Sequence, residues 1–356
     1  MLILGIDTSC DDTSAAVVED GTTIVSNIVS SQSEIHAKYG GIVPELASRR
    51  HIEMIQPVVD EALKKAGVTL QDIAAAAVCH GPGLIGSLLI GCSFAKAFCY
   101  AKEIPLVAVN HLEGHILSAF LTPPFPEFPF LSLIVSGGHT SLYLAEDFGR
   151  YEELGRTRDD AAGEAYDKVS KLLSLGYPGG PVIDGLAQQG DARAIDFPRA
   201  YLPDSLDFSF SGMKTAVLNF LRSHVKAGDF SPEPSLNPAA QEDGDRSVSG
   251  AGQPKVINHI AASFQAAVVD VLVRKTEWAV RKKRVGRVTL SGGVAANSEL
   301  RRRMKKMGEE KGVEIFVPPA ALCTDNAAMI AAAGYRRFIK GDLAGLDLNP
   351  RAYLPL

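Results

Sequence analysis

The chain has 356 residues, of which 46% are hydrophobic and 22% are charged, with 33 glycines and 20 prolines. This composition excludes a disordered or fibrous protein, and the length indicates two domains or one large duplicated one. The formal net charge of −5 excludes a surface that is basic throughout, so contact with nucleic acid would need a local basic patch.

The first predicted elements form a β-hairpin that leads into strand and helix units. Strands at residues 2–6 and 15–19 flank a turn rich in hydroxyls and carboxylates, and a third strand follows at 23–29. Apolar residues at helical spacing predict a helix over residues 44–66, with Gly67 as its stop. The next predicted elements are a strand at 74–79, a helix from residue 84 and a strand at 106–109.

A second hairpin repeats the pattern of the first. Its strands at 130–135 and 141–145 enclose a small polar turn, residues 136–140. The remaining predicted elements are a strand at 287–290, a small-residue turn at 291–297 opening a helix to about 308, a strand at 313–317 and a helix at 325–340. This alternation predicts an α/β protein, and the repeated hairpin is consistent with an internal duplication.

The sequence has no feature typical of a secreted or membrane-spanning protein. Asp7 comes too early for a signal peptide, and the apolar stretch at 84–101 is interrupted by Lys96 and small residues. The five cysteines include no C-x-x-C pair, so neither a disulfide framework nor a cysteine zinc site is indicated. We therefore expect a cytoplasmic protein.

Two histidines form a candidate metal site. His111 and His115 are four residues apart, so both project from one face of a helix capped by Asn110, as metal ligands or as an ordinary surface pair. Glu113 lies about 200° around that helix from His111, unlike the glutamate of H-E-x-x-H, which argues against a metalloprotease. A third ligand must come from elsewhere. Asp325, between a loop and a helix, is predicted either to bind the ion or to cap the helix.

Three small-residue turns at strand ends are candidates for binding an anion. Glycine pairs at 137–138 and 292–293 let backbone N–H groups approach an oxyanion without interference from a Cβ. The helix after Gly293 would add the dipole of its N-terminus. Each turn alone could be a plain turn, but three together favour a phosphate-bearing ligand, in a chain without a P-loop or Rossmann motif.

The remaining candidates are carboxylates and basic runs. Asp167 and Asp184 are predicted either to be solvated charges or to accept hydrogen bonds from ligand hydroxyls or an ammonium group. Basic runs at 281–284, 301–306 and 336–337 are solvated helix faces or parts of one phosphate-backbone patch. No residue stands out as a catalytic base.

Taken in order, these motifs resemble the tRNA threonylcarbamoyladenosine transferase family (bacterial TsaD type), formerly called O-sialoglycoprotein endopeptidases or glycoproteases. The resemblance covers almost the whole chain. It rests on GIDTSCDDT at 5–13, GGIVPELASR at 40–49, GPGL at 81–84, HLEGH at 111–115, VSGGHT at 135–140, GEAYDK at 163–168, YPGGP at 177–181, FSFSGMKT at 208–215, SGGVAAN at 291–297 and TDN at 324–326.

The resemblance implies an actin-like, Hsp70-like (ASKHA) fold, in which two duplicated lobes, 1–110 and 111–356, enclose a nucleotide cleft. The second lobe would contain a flexible insertion at about 227–255, a stretch rich in Ser, Pro and Gly. The resemblance also implies one divalent metal ion, Fe²⁺ in preference to Zn²⁺, held by His111, His115 and Asp325. The implied substrate contacts are Val135, Ser136, Gly137, Gly138, His139, Asp167, Gly180, Asp184 and Asn297.

The activity implied is an acyl transfer to tRNA. Family members move a threonylcarbamoyl group from threonylcarbamoyl-AMP to the exocyclic amine of the adenosine 3′-adjacent to the anticodon, in tRNAs reading codons that begin with A. Bacterial members work with a paralogous actin-like subunit (TsaB type) and a small P-loop ATPase (TsaE type).

This chain departs from the family pattern in two places. Asp12 stands where the family usually has Glu, which shortens the reach of that carboxylate, and the insertion after Lys226 is not part of the usual pattern. Three other functions are alternatives: a small-molecule kinase of the same actin-like fold, a metalloprotease and a noncatalytic paralogue.

Overall fold

The structure, a computed structural model, describes residues 1–226 and 253–356, and in this part the strands form two five-stranded mixed sheets. The insertion predicted at about 227–255 lies outside the described residues except for its last three. The lobe division at residues 110 and 111 stays a prediction.

The first sheet has the strand order β3-β2-β1-β4-β5. Its central strand pairs antiparallel with β2 and parallel with β4, which in turn pairs parallel with β5. The three parallel strands therefore end at the same edge. The bounds are β1 Leu2–Asp7, β2 Asp12–Glu19, β3 Thr23–Ser31, β4 Ile73–Gly81 and β5 Leu106–Asn110.

The second sheet has the order β10-β9-β6-β7-β8 and repeats this plan, with a hairpin beside parallel strands. Val135 pairs with Thr140 at the end of its hairpin, so residues 136–139 form the tight turn that the sequence predicts. The bounds are β6 Phe130–Val135, β7 Thr140–Asp147, β8 Arg150–Arg156, β9 Arg287–Ser291 and β10 Glu314–Phe316.

Helices cover the faces of both sheets. The bounds are α1 Ser33–Ala37, α2 Pro44–Ala66, α3 Ile85–Lys102, α4 His111–Leu117, α5 Ala162–Leu172, α6 Gly179–Ala187, α7 Ser211–Lys226, α8 Gln253–Lys283, α9 Ser298–Lys311, α10 Ala320–Cys323 and α11 Ala327–Ile339. Because side chains alternate along a strand, Leu4 and Ile6 pack with α2 and α3, whereas Ile3 packs with α4 and α11 on the other face. The closing helix of the chain therefore covers the sheet formed by its first third.

Helix α4 lies where the two sheets meet. The apolar cluster around α4 and α11 includes Ile3 and Ala77 from the first sheet and Ile134 and Tyr143 from the second. A side chain on the polar side of α4 is thus held between two rigid layers. This placement is what gives the site described below its fixed geometry.

The predicted strands and the helix at 44–66 are present, but β8 and α8 were not predicted. Strand β8 is an edge strand with a polar sequence and mostly exposed residues, so it carries no apolar alternation. Residues Lys255–Lys283 of α8 are long and apolar enough to cross a membrane by length and composition, but 72% of the apolar window is buried inside the protein. This is a core helix.

Candidate functional site

The candidate metal group comprises His111, His115 and Asp325. Helix α4 begins directly after β5, where the side chain of Asn110 accepts the Leu112 N–H at 2.8 Å and caps the helix. One turn separates the histidines, and their ring centroids are 4.7 Å apart. Both imidazoles are buried at the junction of the sheets.

Asp325 approaches these histidines from the segment between α10 and α11. Its Oδ1 lies 3.5 Å from His111 Nε2 and 3.2 Å from His115 Nε2. The cap of α11 is Asn326, whose side chain accepts the Met329 N–H, so Asp325 does not serve as the helix cap.

The donor set fits a divalent metal ion. His115 Nδ1 and Nε2 and His111 Nδ1 are buried nitrogens with no hydrogen-bond partner in the described part of the chain. Leaving such groups unpaired is costly, and an ion held by one nitrogen of each ring would satisfy His115 Nε2, which faces Asp325. Two imidazoles and one carboxylate are ligands that suit both Zn²⁺ and Fe²⁺, with further coordination positions open to a substrate.

Each of the three residues changes the pKa of at least one of the others. Burial alone would lower the pKa of His111, but the adjacent Asp325 carboxylate holds it well above its usual range. Burial opposes ionisation of Asp325 too, yet the charge of His111 and the close approach of both imidazoles keep its pKa well below the ordinary value. The pKa of His115 shifts in the direction opposite to that of His111, because burial and the charge of His111 lower it. A neutral imidazole at position 115 is the form that binds metal.

Behind His111 lies a second group that sequence reasoning missed. Asp7 ends β1 and Cys79 lies near the end of β4, and their ligand atoms lie within 4.8 Å of each other and of His111. Burial and the charge of Asp7 raise the pKa of the Cys79 thiol to about 11, so the thiol stays protonated at neutral pH. The parallel neighbours β1, β4 and β5 explain the convergence, and strand order is not visible in a sequence.

Glu113 points away from the metal group, as its position on the helix predicts. Its carboxylate accepts a hydrogen bond from Arg337 Nε at 2.7 Å and from Tyr151 at 3.3 Å. A buried glutamate held in this way is not free to act as the general base of a hydrolase. Glu113 therefore cannot supply the general base that the metalloprotease alternative requires.

The turn from Val135 to His139, here called the glycine loop, lies beside the metal group. His139 is 6.4 Å from His111 between ring centroids, and burial together with the charge on His111 lowers its pKa to about 4. Ser136 closes the turn: its N–H donates to the His139 carbonyl, and its Oγ accepts the His139 N–H. Gly137 and Gly138 are exposed, with no atom within 4 Å of the position a Cβ would take.

Two other glycines press against the glycine loop and fix its place. A Cβ on Gly163, at the start of α5, would lie 2.6 Å from the Ser136 carbonyl oxygen. Gly292, with φ of +89°, would place a Cβ 2.4 Å from the Val135 carbonyl oxygen. The second and third predicted turns are therefore packed together, and only residues without side chains allow it.

The other candidate substrate contacts are engaged within the chain. Asp167 accepts the Gly179 N–H at 2.7 Å and anchors the start of α6 beside Gly180, where a Cβ would meet open space. Asp184 accepts hydrogen bonds from Asn297, Ser298 and Gln265. Gln265, from the unpredicted helix α8, also accepts from Asn297 at 2.7 Å.

Asn297 caps α9 by accepting the Leu300 N–H, and the third small turn, 291–297, contains a 3-10 turn over Gly293–Ala296. The predicted turn at 291–297 does open a helix, but that helix begins at Ser298, so its N-terminus lies beyond the glycine pair at 292–293. A 3-10 turn before the first turn of an α-helix is common.

The first predicted turn acts electrostatically on Asp167 and on Tyr177. Burial raises the pKa of Asp167, and the charge of Asp11 adds to the shift. Burial, and then the charges of Asp11 and Asp167, raise the pKa of Tyr177. A carboxylate of the first hairpin thus disfavours ionisation of the Asp167 carboxylate on α5.

Much of the predicted basic patch is paired within the protein. Arg281 and Arg303 form ion pairs with Glu277 and Asp270, and Arg302 pairs with Glu299. These pairs are typical of solvated helix faces and reduce the charge offered to a phosphate backbone.

The chain matches one family model and many relatives along its length. The TsaD model, described as tRNA N6-adenosine threonylcarbamoyltransferase, matches residues 23–332. A protein of that name from Thermodesulfovibrio yellowstonii is 57% identical over 357 residues, covering 100% of both chains. Another, from Geotalea uraniireducens, is 52% identical and covers 100% of this chain and 97% of its own length.

Solved structures with low sequence identity share the fold. Full-length HypF in its phosphate- and nucleotide-bound form covers 95% of this chain and 55% of its own, at 14% identity and a TM-score of 0.58. Component A of (R)-2-hydroxyglutaryl-CoA dehydratase from Acidaminococcus fermentans covers 95% of this chain and 98% of its own, at 18% identity and a TM-score of 0.50. These neighbours have the actin-like fold, which confirms the predicted fold class.

Proposed function

The chain belongs to the tRNA N6-adenosine threonylcarbamoyltransferase (TsaD) family, and from this we propose that it transfers a threonylcarbamoyl group from threonylcarbamoyl-AMP to tRNA. The acceptor is the exocyclic amine of the adenosine 3′-adjacent to the anticodon, in tRNAs reading codons that begin with A. The observation that carries the proposal is the 57% identity to a relative of this name over the whole of both chains. The kinase alternative has no comparable support.

The residues proposed to hold a divalent metal ion are His111, His115 and Asp325, which offer two nitrogens and one oxygen. When bound, the ion would act as a Lewis acid that polarises and orients the threonylcarbamoyl group. A pair of histidines with one carboxylate is typical of Fe²⁺ sites with open positions, so we propose Fe²⁺, with Zn²⁺ as the alternative.

The chain's own residues would position the reactants and stabilise the leaving group. The exposed amides of Gly137 and Gly138 are suited to hold the AMP phosphate, which gains charge as the mixed anhydride breaks. A bond forms between the adenosine nitrogen and the carbamoyl carbon, the bond from that carbon to the phosphate oxygen breaks, AMP leaves with the electron pair, and the amine releases one proton to water. The amine is a weak nucleophile, so fixed orientation contributes more than a strong base. Val135, Ser136, His139, Asp167, Gly180, Asp184 and Asn297 complete the proposed substrate site.

The proposed partners are tRNA, the paralogous actin-like subunit and the small P-loop ATPase. An exposed apolar surface supports a protein partner: Ile52 on α2 and Ile85 and Leu89 on the adjoining α3 are 62%, 52% and 49% exposed. Large aliphatic residues grouped on neighbouring helices are typical of an interaction face. We propose a cytoplasmic location, since tRNA is the substrate and α8 is a buried core helix.

The test is the modified nucleoside in cells depleted of the protein. We expect depletion to remove threonylcarbamoyladenosine from digested bulk tRNA, as measured by mass spectrometry. Wild-type protein should restore it, and His115→Ala should not. Glu277→Gln, which alters a buried carboxylate on α8, serves as the control and should restore it. An unchanged nucleoside level under verified depletion would refute the proposal.

A further inference from the structure

Asp7 is a buried carboxylate of which only one oxygen accepts a hydrogen bond from the described residues. Its side chain is 1% exposed at the carboxyl end of β1, and Oδ1 accepts the Ser9 N–H at 2.9 Å. Oδ2 has no hydrogen-bond partner in the described part of the chain, and it faces His111 Nδ1 at 3.5 Å. That nitrogen also lacks a partner among the described residues. A shift of a few tenths of an ångström would bring the two atoms to an ordinary N–H···O distance.

The two nitrogens of His111 face opposite carboxylates. Nε2 faces Asp325 at 3.5 Å, on the side of the proposed metal ligands, whereas Nδ1 faces Asp7. A neutral imidazole carries one proton. If the proton is on Nδ1, the lone pair of Nε2 is free to bind a metal ion, and if it is on Nε2, the ligand atom is blocked.

We propose that Asp7 is a positioning residue that accepts the Nδ1 proton of His111 and holds the ring in the tautomer whose Nε2 binds the metal ion. This inference rests on the proposed function, because it requires a metal ion at His111, His115 and Asp325. Carboxylates that orient a metal-binding histidine in this way typically contribute 10–100-fold to metal affinity.

The backbone makes this contact reproducible. Asp7 ends β1 and His111 follows directly after β5, with β4 between them, so the separation is set by two ladders of parallel strands. Cys79 of β4 is the other side chain in this group. Sulfur is a weak acceptor, which leaves the carboxylate as the stronger partner for the Nδ1 proton.

Asp7→Asn tests the role with little change in volume. The carboxylate offers an acceptor to each of two donors, Ser9 N–H and His111 Nδ1–H, but an amide has only one oxygen. If that oxygen stays with Ser9, the amide NH₂ faces His111 and favours the tautomer with the proton on Nε2. The variant therefore removes the proposed hydrogen bond and opposes the metal-binding tautomer.

The experiment is a Zn²⁺ titration of the metal-free full chain in competition with a chromophoric chelator. We expect Asp7→Asn to lower the affinity about 10–100-fold at an unchanged stoichiometry of one ion. Glu277→Gln, another carboxylate buried but remote on α8, should bind as wild type does and controls for a general loss of stability. X-ray absorption of the Zn²⁺-loaded proteins should give the same set of ligands for both.

A further measurement does not depend on how well the variant folds. Long-range ¹H–¹⁵N correlation spectra of the Zn²⁺-loaded wild type, labelled at histidine, should show His111 with its proton on Nδ1. A proton on Nε2 would overturn the inference, as would wild-type affinity in Asp7→Asn. An oxygen ligand lost in that variant would also overturn it, because Asp7 would then bind the ion directly.

Controls separate this inference from the proposed metal site. If the wild type and His111→Ala have the same affinity for Zn²⁺, the proposed metal site itself is wrong. If His111→Ala loses binding but Asp7→Asn does not, only the role of Asp7 is wrong. If Cys79→Ala lowers the affinity and Asp7→Asn does not, the thiol is the partner of His111, and the inference again fails.

Discussion

Gly163→Ala would drive a methyl group from α5 into the glycine loop. The new Cβ would lie 2.6 Å from the Ser136 carbonyl oxygen and 2.8 Å from Gly137 Cα, where ordinary contact begins at 3.4 Å. The loop must therefore retreat by about 0.6–0.8 Å, the difference between these distances. Both contacts are with backbone, so no side chain can rotate away to relieve them.

The expected cost follows from this overlap. Overpacking costs about 1–3 kcal/mol, and two contacts with backbone that cannot move aside place this change in the upper part, about 2–3 kcal/mol. Alanine is better than glycine in a helix by up to about 1 kcal/mol, which offsets part of the cost. We therefore expect a net loss of about 1–2 kcal/mol of stability and a melting temperature lower by roughly 2–8 °C. A displacement close to 1 Å in a positioning loop costs about 10²-fold in the rate of transfer.

Gly212→Ala is the matched control. Gly212 is the second residue of α7, as Gly163 is of α5, but a Cβ there would have no atom within 4 Å. The control should keep or raise the melting temperature and transfer at the wild-type rate. Thermal unfolding and single-turnover transfer to tRNA measure the two effects. Wild-type stability and rate in Gly163→Ala would refute the close packing of the loop.

Other changes probe the metal group, the first turn and the cap of α4. His115→Ala should leave the purified protein without the metal ion that wild type retains by elemental analysis, and retention of one ion per chain would contradict the ligand set. Burial, then the charge of Asp11, raises the pKa of Asp12 from 3.8 to about 7, with Ser31 opposing and Asp325 and Asp7 adding to the shift. The folded protein thus holds this proton more tightly than the unfolded chain, and stability falls as pH rises from about 4 to about 7. Asp12→Asn should abolish this fall in the metal-free protein. At pH 8 the variant should be on the order of 4 kcal/mol more stable than wild type, at 1.36 kcal/mol per pKa unit. An unchanged pH profile of unfolding would count against the burial of this carboxylate. Asn110→Ala removes the cap of α4 and the hydrogen bonds to the Leu354 and Pro355 carbonyls, so we expect a loss of about 2–3 kcal/mol in urea unfolding, while the exposed Asn349→Ala should change little.

Local chemistry was readable from the sequence wherever one segment decides the outcome. The helix at 44–66 follows from its apolar spacing and Gly67, and the turn at 136–139 follows from two strands joined by small polar residues. The face shared by His111 and His115 follows from a spacing of four in a helix. The fold and activity came from the resemblance of many motifs in order, and the comparisons support them.

Contacts between distant segments were not readable. Asp7 behind His111 depends on the order of strands in a sheet, and Gln265 beside Asn297 depends on where α8 packs. The role of Asn326 as the cap, one residue from Asp325, depends on the exact start of α11. Strand β8 was not predicted because an exposed edge strand needs no apolar face, so its sequence shows no alternation of apolar and polar residues.

The packing of α11 against the first sheet also has a consequence for synthesis on the ribosome. All five strands of that sheet have been synthesised once the chain reaches Asn110. The helix that covers one of its faces, α11, is complete only at Ile339. At about 5–20 residues per second, the intervening 229 residues take roughly 10–50 s to make. During that interval the nascent chain exposes an apolar surface and lacks Asp325. The first sheet therefore cannot be fully covered before the end of the chain is made, and we expect a chain that stops short of α11 to be both inactive and prone to aggregate.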